Sequence, residues 1–439
     1  MEFDIRNGVL ISAKGARGSV TVPSGVTAIG KFAFSSSLEL EEVVLPVGIV
    51  KIGNRAFDSC INLKRVALPE GLCEIGHGAF FGCKSLKTVE FPTTLKTVLA
   101  RAFYGCSSLC EVNIPDGATD IRAYAFGECI SLKSAYVNAR ISKLPRGLFY
   151  RCRALCTLVL PETLTELRPS DIKGLDSLKL CENNGAYYLP SARNKCFALI
   201  KAEPDGAYGM NIPYGCAIIF DGAFHERRSL VRLELPDTLV YIGKRAFYGC
   251  GALRDIVLPR SLKTLSEGAF YGCSSLVLAE IPLGITKIPD KCFYKCVGLS
   301  LIVIPDGVEW IGDMAFAYCE SISSVSLPSG LSHLGGGAFH ACSGLCELDL
   351  PKGLSEVGIS LFIYCKALTG VSLPEGIRRI SRAAFKGCIS LETLRLGGAV
   401  EYIAPDAFCG CRLLSLDVVK GSYAEQYATQ CKIRYTTDN

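Results

Sequence analysis

The amino-acid sequence predicts a solenoid: a right-handed superhelix of stacked parallel strands, rich in β-structure, with short turns or 3-10 segments on its convex side. Three features that share one period predict it. Phenylalanine recurs every 23 residues from Phe34 to Phe149 and from Phe224 to Phe408, a leucine or isoleucine follows six residues later, and a proline commonly stands eleven residues before. One unit of this length cannot bury its apolar face alone, whereas stacked units bury it against each other.

Each part of the repeat has a physical reason, as the unit at residues 63–85 shows. Val66 and Leu68 alternate as inward residues of a short strand. Pro69 ends that strand because it has no N–H to offer a neighbouring strand. Phe80 is expected to point back into the core after the turn that follows the proline.

The composition argues for a folded chain and against several functions. The 439 residues include 47 Lys and Arg against 42 Asp and Glu, a net charge of +5 without a basic run, so nucleic-acid binding is not expected. No apolar stretch approaches the roughly 18 residues of a membrane span. Residues 1–6 form neither a basic nor an apolar segment, so no signal peptide is expected.

Interruptions of the repeat divide the chain into five segments. They are an N-terminal hairpin cap with a first partial coil, a first array, a hairpin-type interruption, a second array and a C-terminal helical cap, at 1–33, 34–180, 181–212, 213–419 and 420–439. Ile172 takes the slot after Phe149, and the 23-residue series of phenylalanines resumes only at Phe224, so two coil positions are remodelled. We expect one continuous solenoid; the alternative is two domains hinged near Asn183 and Asn184.

The C-terminal cap is predicted from a short polar motif. Ser422 and Glu425 have the spacing of a capping box, in which both side chains satisfy amides at the start of a helix. Tyr423 and Tyr427, with the alanines that follow each of them, are expected to cover the last coil.

These motifs resemble those of a known family. Leu-x-x-Val-x-Leu-Pro, Ile-Gly-x-x-Ala-Phe and Gly-Cys-x-x-Leu at a 23-residue period look like the BspA-like bacterial subclass of leucine-rich repeats. The resemblance covers nearly the whole chain and implies an α/β leucine-rich repeat solenoid. It also implies a cell-surface or secreted protein that binds a protein or glycan partner, as in adhesion. The missing signal peptide leaves a cytoplasmic location open.

The 23 cysteines do not require disulfides or metal. Thirteen of them stand three residues after the phenylalanine, where a buried ladder of small side chains is expected. No Cys-x-x-Cys motif and no supporting histidine pair occurs, so no metal site, catalytic residue or cofactor is predicted. Cys110, Cys156 and Cys346 directly follow a strand leucine and are expected to face outward.

Candidate binding residues are the variable, outward positions of the strands, although a solvated face is the alternative. They are Glu90, Glu111, Tyr136, Arg232, Glu234, Asp255, Glu280, Glu347, Asp349 and Arg395. A second candidate is aromatic, because Tyr248, Tyr271 and Tyr294 directly follow the phenylalanine in three consecutive units. They are a candidate platform for sugar rings or a protein partner, and packing between coils is the alternative.

We therefore expect a non-enzymatic, monomeric solenoid that binds a protein or glycan partner, in an adhesion-like role. An intracellular protein-interaction scaffold of the same fold is the alternative, favoured by the absent signal peptide and the many thiols. An enzyme with an unrecognised site is the second alternative, disfavoured because no catalytic constellation stands out from the repeat.

Overall fold

The structure is a computed structural model that describes residues 1–203 and 208–438. The chain forms two compact units. Unit 1 comprises Met1–Asn183 and Tyr187–Ala198, and unit 2 comprises Asn184–Ala186 and the chain from Leu199 onward. The part of the expected 181–212 interruption at 204–207, and the last residue of the expected cap, lie outside the described residues.

Each unit is a solenoid in which most coils contribute two strands to two separate parallel sheets. In the coil at 63–85, Arg65–Ala67 is the longer strand, Glu74–Ile75 is the shorter strand, and turns that carry Phe80 lead to the next coil. The predicted fold class is confirmed: the chain is mostly strand, and its parallel strands are stacked coil on coil. The second sheet, built from two-residue strands, was not predicted.

The longer strands form what we call the long-strand sheets. In unit 1 they are Gly18–Thr21, Leu40–Val44 and Arg65–Ala67, then Glu111–Ile114, Ser134–Val137 and Thr157–Val159. In unit 2 they are Gly209–Asn211, Arg232–Glu234, Asp255–Ile256, Leu278–Glu280 and Leu301–Val303, then Glu347–Asp349, Gly370–Ser372, Thr393–Leu396, Ser415–Val419 and Arg434–Asp438.

The shorter strands form the short-strand sheets. In unit 1 they are Ala28–Ile29, Lys51–Ile52, Glu74–Ile75, Thr97–Val98 and Asp120–Ile121, preceded by the N-terminal hairpin Glu2–Arg6 and Val9–Lys14. In unit 2 they are Ile218–Ile219, Tyr241–Ile242, Thr264–Leu265, Lys287–Ile288, Trp310–Ile311, His333–Leu334, Glu356–Val357, Arg379–Ile380 and Tyr402–Ile403.

Three strands and two short helices complete the described part of the chain. The strands Cys181–Asn183, Ala186–Leu189 and Ala198–Ala202 occupy the interruption of the repeat. The helices are Pro169–Ile172 and Tyr423–Cys431. Neither helix, among the residues that the structure describes, has the length and apolar character needed to cross a membrane.

The phenylalanine column forms the centre of each core. Neighbouring rings stack with centroids 4.9 to 6.1 Å apart from Phe34 to Phe149, and 5.0 to 6.1 Å apart from Phe224 to Phe408. Every ring is buried. The row in unit 1 ends at Phe149, because the next slot holds Ile172, which is only half-buried and lies at the end of a one-turn helix.

The cysteine column is a hydrogen-bonded ladder as well as a packed one. Twelve of its thirteen thiols are buried and Cys411 is half-buried. In each case the thiol donates to the carbonyl of the phenylalanine in the preceding coil, as from Cys106 to Phe80 at 3.2 Å and from Cys365 to Phe339 at 3.0 Å. The small polarisable side chain therefore joins successive coils through weak hydrogen bonds.

Two positions in nearly every turn region adopt a left-handed backbone that the sequence did not reveal. They lie two residues before and two residues after the phenylalanine, as Arg55 (φ 54°) and Ser59 (φ 59°) do around Phe57. The turn around Phe408 has one, at Gly410. Glycine fills many of these positions, and no Val, Ile or Thr in the described ranges 1–203 and 208–438 has a positive φ. Branched side chains are excluded because their Cβ substituents clash in this region.

The glycine after the inward isoleucine allows the coils to approach closely. A Cβ at Gly76 would lie 2.7 Å from the backbone nitrogen of Asn54 in the preceding coil. Any larger residue would therefore push neighbouring coils apart at this step.

Both chain ends are covered by local structure. At the N-terminus, Asn7 and Gly8 adopt positive φ between two antiparallel strands. At the C-terminus, the Ser422 hydroxyl accepts a hydrogen bond from Glu425 N, and the Glu425 carboxylate accepts one from Gly421 N at 2.6 Å. Tyr427 is buried, but the prediction for Tyr423 is wrong, because 39% of it is exposed on the outer side of the helix.

Candidate binding surfaces

The candidate residues on the long-strand sheets face outward, as strand alternation requires. The expected strand position of Glu90 is wrong, because Glu90 lies outside the strands. All are exposed except Tyr136, which is half-buried: Glu90, Glu111, Tyr136, Arg232, Glu234, Asp255, Glu280, Glu347, Asp349 and Arg395. They do not form one site. Within unit 1, Tyr136 pairs in register with Asn113 and Val159, and Glu111 pairs with Ser134 two residues earlier on the same strands.

In unit 2 the candidates fall into three separate groups. Arg232, Glu234, Asp255 and Glu280 lie on three neighbouring strands. Glu347 and Asp349 share a later strand, next to Gly370 and Ser372. Arg395 forms an ion pair with Asp417, 3.4 Å between Nη1 and Oδ2, on the strand beside it.

The first group is not a uniform acidic cluster, because one carboxylate already has a partner. Arg232 Nη2 lies 2.9 Å from Glu234 Oε1, and both side chains are largely exposed. Exposed pairs of this kind contribute little to stability. Asp255 and Glu280 form no ion pair within 4.0 Å among the residues that the structure describes. These two carboxylates are available to a cationic group from outside.

Apolar side chains are exposed between these charges, and the sequence reading did not select them. Val257, Leu301 and Val303 are 79%, 52% and 47% exposed. Leu301 pairs in register with Leu278, and Val303 pairs with Glu280. The signal was present in the sequence, since outward columns that elsewhere hold Glu, Ser or Asp carry Val and Leu here. We name Val257, Leu301 and Val303, with Arg232, Glu234, Asp255 and Glu280 beside them, the 232–303 face.

A depression lies at one end of the 232–303 face. Its volume is about 450 Å³, and it is lined by residues 232–235 together with Asp237, Asp255, Val257 and Pro259. The exposed apolar side chain of Val257 and the carboxylate of Asp255 both line this depression. A side chain of a partner can fit into this depression.

The three candidate tyrosines belong to a longer aromatic row. Centroids of Tyr248 and Tyr271 lie 4.8 Å apart, and those of Tyr271 and Tyr294 lie 4.6 Å apart. His225 precedes them at 4.8 Å, and Tyr318, His340 and Tyr364 continue the row. Sequence reasoning missed Tyr318 because it stands two residues after its phenylalanine rather than one.

Stacking limits what this aromatic row can offer a ligand. Both faces of the Tyr271 ring are covered, by Tyr248 on one side and Tyr294 on the other. A sugar ring stacks on an aromatic face, whereas this arrangement presents ring edges and hydroxyl groups. Burial, followed by the neighbouring tyrosines, raises the pKa of Tyr294, so its hydroxyl stays protonated and able to donate a hydrogen bond.

The cysteines and histidines of the described residues form no metal cluster, and the Cys342 thiol near His340 is not activated as a nucleophile. No group of three His, Cys, Asp or Glu side chains there is arranged to hold a metal ion. Burial raises the pKa of the Cys342 thiol well above its usual value, which disfavours the nucleophilic thiolate. Burial also lowers the pKa of His340, whose ring packs against Tyr318. By contrast Cys110 and Cys346 are exposed, and Cys156 is half-buried.

A family model described as the BspA type Leucine rich repeat region (6 copies) matches this chain over residues 16–107, 73–186, 207–308 and 286–415. The chain belongs to the BspA-type leucine-rich repeat family. This BspA-type protein shares its fold class and family with proteins that generally take part in protein interactions and are typically not enzymes.

Solved structures of other bacterial repeat proteins are similar to this BspA-type chain over much of its length. A leucine-rich repeat protein from Bacteroides ovatus is 23% identical, with 100% of this chain and 97% of that chain covered and a TM-score of 0.36. A leucine rich cell surface protein from Faecalibacterium prausnitzii is 20% identical, with 97% and 94% covered and a TM-score of 0.29. The T. pallidum Leucine Rich Repeat protein is 25% identical, with 58% and 88% covered and a TM-score of 0.30. A comparison with curated proteins gives no match.

Proposed function

We propose that this protein is a non-enzymatic, monomeric binding protein that holds a protein partner on the 232–303 face, in an adhesion-like role. The observation that carries the proposal is the exposure of Val257, Leu301 and Val303 on one sheet face, with charged side chains beside them. An apolar centre bordered by polar groups is the usual organisation of a protein interface.

The charges define the partner more closely. Asp255 and Glu280 lack an ion-pair partner within 4.0 Å in the described ranges 1–203 and 208–438. A partner that places an apolar side chain near Leu301 and a Lys or Arg near Glu280 would satisfy both features of the face. The proposal favours a protein over a glycan, because a glycan lacks cationic side chains and large aliphatic groups.

The proposal is tested by comparing what wild-type and variant chains capture. Immobilised full-length protein is exposed to detergent-solubilised surface proteins of candidate host cells, and bound proteins are identified by mass spectrometry. Leu301→Glu replaces the exposed apolar side chain next to Leu278 with a charge and should reduce capture of a specific partner by about tenfold or more. Glu280→Gln should weaken the same complex mainly at low salt, because it removes one exposed attraction.

A matched control is available on the same unit. Ile359 is 56% exposed, close to the 52% of Leu301, but lies in a turn outside the long-strand sheet. Ile359→Glu should leave capture unchanged. Equal capture by wild type and the Leu301→Glu variant would reject the 232–303 face as the binding surface. Selective capture of glycans by wild type would show that the partner is a glycan and not a protein.

An intracellular scaffold of the same fold is the second candidate, and the thiols favour it. Cys73, Cys110 and Cys346 are exposed and unpaired by disulfides. Exposed free thiols persist in reducing compartments. Fractionation of the native organism distinguishes the two locations: recovery with the cell surface supports the adhesion-like role, and recovery with the cytosol supports the scaffold.

A further inference from the structure

A cavity lies near the end of the phenylalanine row in unit 1. Phe149 has no ring stacked on it from the following slot, which holds Ile172 in a one-turn helix. The cavity has a volume of about 690 Å³ and reaches from the Phe149 coil to Asp176. This volume falls in the range of about 300 to 1,000 Å³ that is typical of small-molecule sites. We name it the 124–176 cavity after its outermost lining residues.

One side of the 124–176 cavity is aromatic. Tyr124, Phe149 and Tyr150 line it, and the rings of Tyr124 and Tyr150 meet edge to face with centroids 5.7 Å apart. The ring of Tyr124 is held over Gly147, where a Cβ would overlap it. Aromatic side chains in this arrangement provide an apolar wall for a flat group.

The lining of the cavity carries more positive than negative charge. Asp171 also lines it, but its fully buried carboxylate is neutralised by Arg168, with Oδ1 3.0 Å from Nη2 and Oδ2 3.2 Å from Nε. Arg151 is likewise paired with Glu128 at 3.2 Å. Each of these two ion pairs has no net charge, so the other charged side chains determine the net charge of the cavity lining.

The remaining charges are three cations and one carboxylate. Arg146, Arg153 and Lys173 line the cavity and form no ion pair within 4.0 Å among the described residues. Asp176 is the opposing carboxylate. Unpaired guanidinium and ammonium groups around an apolar wall favour an anion that also carries an apolar group.

We propose that the 124–176 cavity binds a carboxylate or phosphate attached to an aromatic ring. The ring packs against Tyr124 and Tyr150, and the anion accepts hydrogen bonds from Arg146, Arg153 or Lys173. A free aromatic acid and an anionic aromatic side chain of a peptide both present this chemistry. The site is independent of the 232–303 face, which lies in unit 2.

Calorimetric titration of the full-length protein tests the ligand class. Phenylacetate and phenyl phosphate each combine a ring with an anion, whereas benzyl alcohol lacks the anion and inorganic phosphate lacks the ring. Both ring-bearing anions should bind at least about tenfold more tightly than either control, and binding should weaken as salt is added. N-acetyl-O-phosphotyrosine amide distinguishes the sources: tighter binding than phenyl phosphate favours a peptide, and weaker binding favours a free acid.

Charge-neutralising variants with matched controls locate the site. Arg146→Gln and Lys173→Gln should each weaken binding of phenyl phosphate about tenfold, because each removes a charged donor. Arg140→Gln and Lys133→Gln remove the same charges from exposed residues outside the cavity and should leave binding unchanged. Circular dichroism and thermal unfolding establish that each variant is folded.

Three results would overturn the proposal. The first is no binding of either ring-bearing anion up to about 10 mM, a concentration that would reveal even weak sites. The second is equal binding of benzyl alcohol, which would make the site apolar only. The third is unchanged binding by the folded Arg146→Gln and Lys173→Gln variants, which would place the ligand elsewhere.

Discussion

At the scale of single residues, the cysteine column explains why a thiol recurs where another small side chain would also fit. Each of the thirteen thiols donates to the phenylalanine carbonyl of the preceding coil, at 3.0 to 3.3 Å. Alanine would leave space and donate nothing, whereas valine would demand more volume in a close-packed core. The thiol is small, apolar and still able to donate.

Burial makes this column sensitive to alkaline pH. Burial raises the pKa of the thiols of Cys60, Cys250 and Cys365 from 9.0 to about 12. Between these values the unfolded chain loses the proton while the folded chain keeps it, so stability is full below pH 9.0 and falls as pH rises toward 12. We expect the free energy of unfolding in urea to drop between about pH 8 and pH 10, by about 1.4 kcal/mol for each such thiol.

Other groups also titrate in this range, so the test compares two proteins. Cys250→Ala removes one buried thiol and should show a fall between the two pH values that is smaller by about 1.4 kcal/mol than that of wild type. An identical fall in both proteins would mean that Cys250 ionises as easily in the folded chain as in the unfolded one.

At the scale of elements, the turn that carries the phenylalanine depends on two left-handed residues. Side chains with a Cβ pay about 1 to 2 kcal/mol in this region, whereas glycine does not. The chain nevertheless places Arg, Lys, Glu, Tyr and Ala there in many coils, among them Arg55, Lys295 and Ala341. The turn is therefore maintained by the packing of its phenylalanine and cysteine rather than by the preference of its own backbone.

This strain can be relieved at a position where little else changes. Ala341 has φ 53°, in the column where other coils have Gly272 or Gly387. Ala341→Gly should raise the free energy of unfolding by about 1 kcal/mol, measured by urea denaturation. Ala367 lies in a turn without positive φ, and Ala367→Gly should instead lower stability by about 0.4 to 1 kcal/mol. A loss of stability in both variants would show that the Ala341 backbone is not strained.

At the scale of the whole molecule, stability is distributed along the arrays through contacts between neighbouring coils. Trp310 is the single tryptophan, so its fluorescence reports on the coils around it. Phe270 stands two coils before that of Trp310, and Phe57 lies in unit 1. Phe270→Ala should cost about 3 to 5 kcal/mol and lower the urea midpoint seen by Trp310. Phe57→Ala should cost as much but shift the Trp310 midpoint less.

The comparison requires a second probe of the whole chain. Circular dichroism should report both variants as destabilised, and the surface variant Tyr214→Ala, at a residue that is 82% exposed, should leave both signals unchanged. Equal shifts of the Trp310 midpoint in the two phenylalanine variants would indicate that the chain unfolds as a single cooperative block.

Much of the fold followed from the sequence because the period is strict. Phe80, Cys83 and Pro69 each recur at the same period, and a residue that recurs in this way occupies the same position in every coil of a stacked structure. The short-strand sheet was not predicted, because strands of two residues such as Glu74–Ile75 carry only one inward side chain. The left-handed columns were also hidden, since Arg55 and Lys295 give no sign of positive φ.

The binding surfaces were less predictable, because outward positions are constrained by partners rather than by the core. The candidates on the 232–303 face were chosen for charge, and the exposed Leu301 between them was not selected. The 124–176 cavity lies where the phenylalanine column is interrupted, and the interruption alone does not indicate which side chains line the cavity.

The strict register has a consequence for how such a gene can change in length. Most bonds between neighbouring coils join residues that are 22 to 26 positions apart, as from Gly76 to Ile52 (24 positions) or from Cys106 to Phe80 (26 positions). Loss of one codon inside a coil would displace all columns on one side of that coil, whereas loss or duplication of a whole coil leaves every column aligned. Tandem recombination between coding repeats is therefore a change that such a protein can accept, and it would lengthen or shorten the binding surface in steps of one coil.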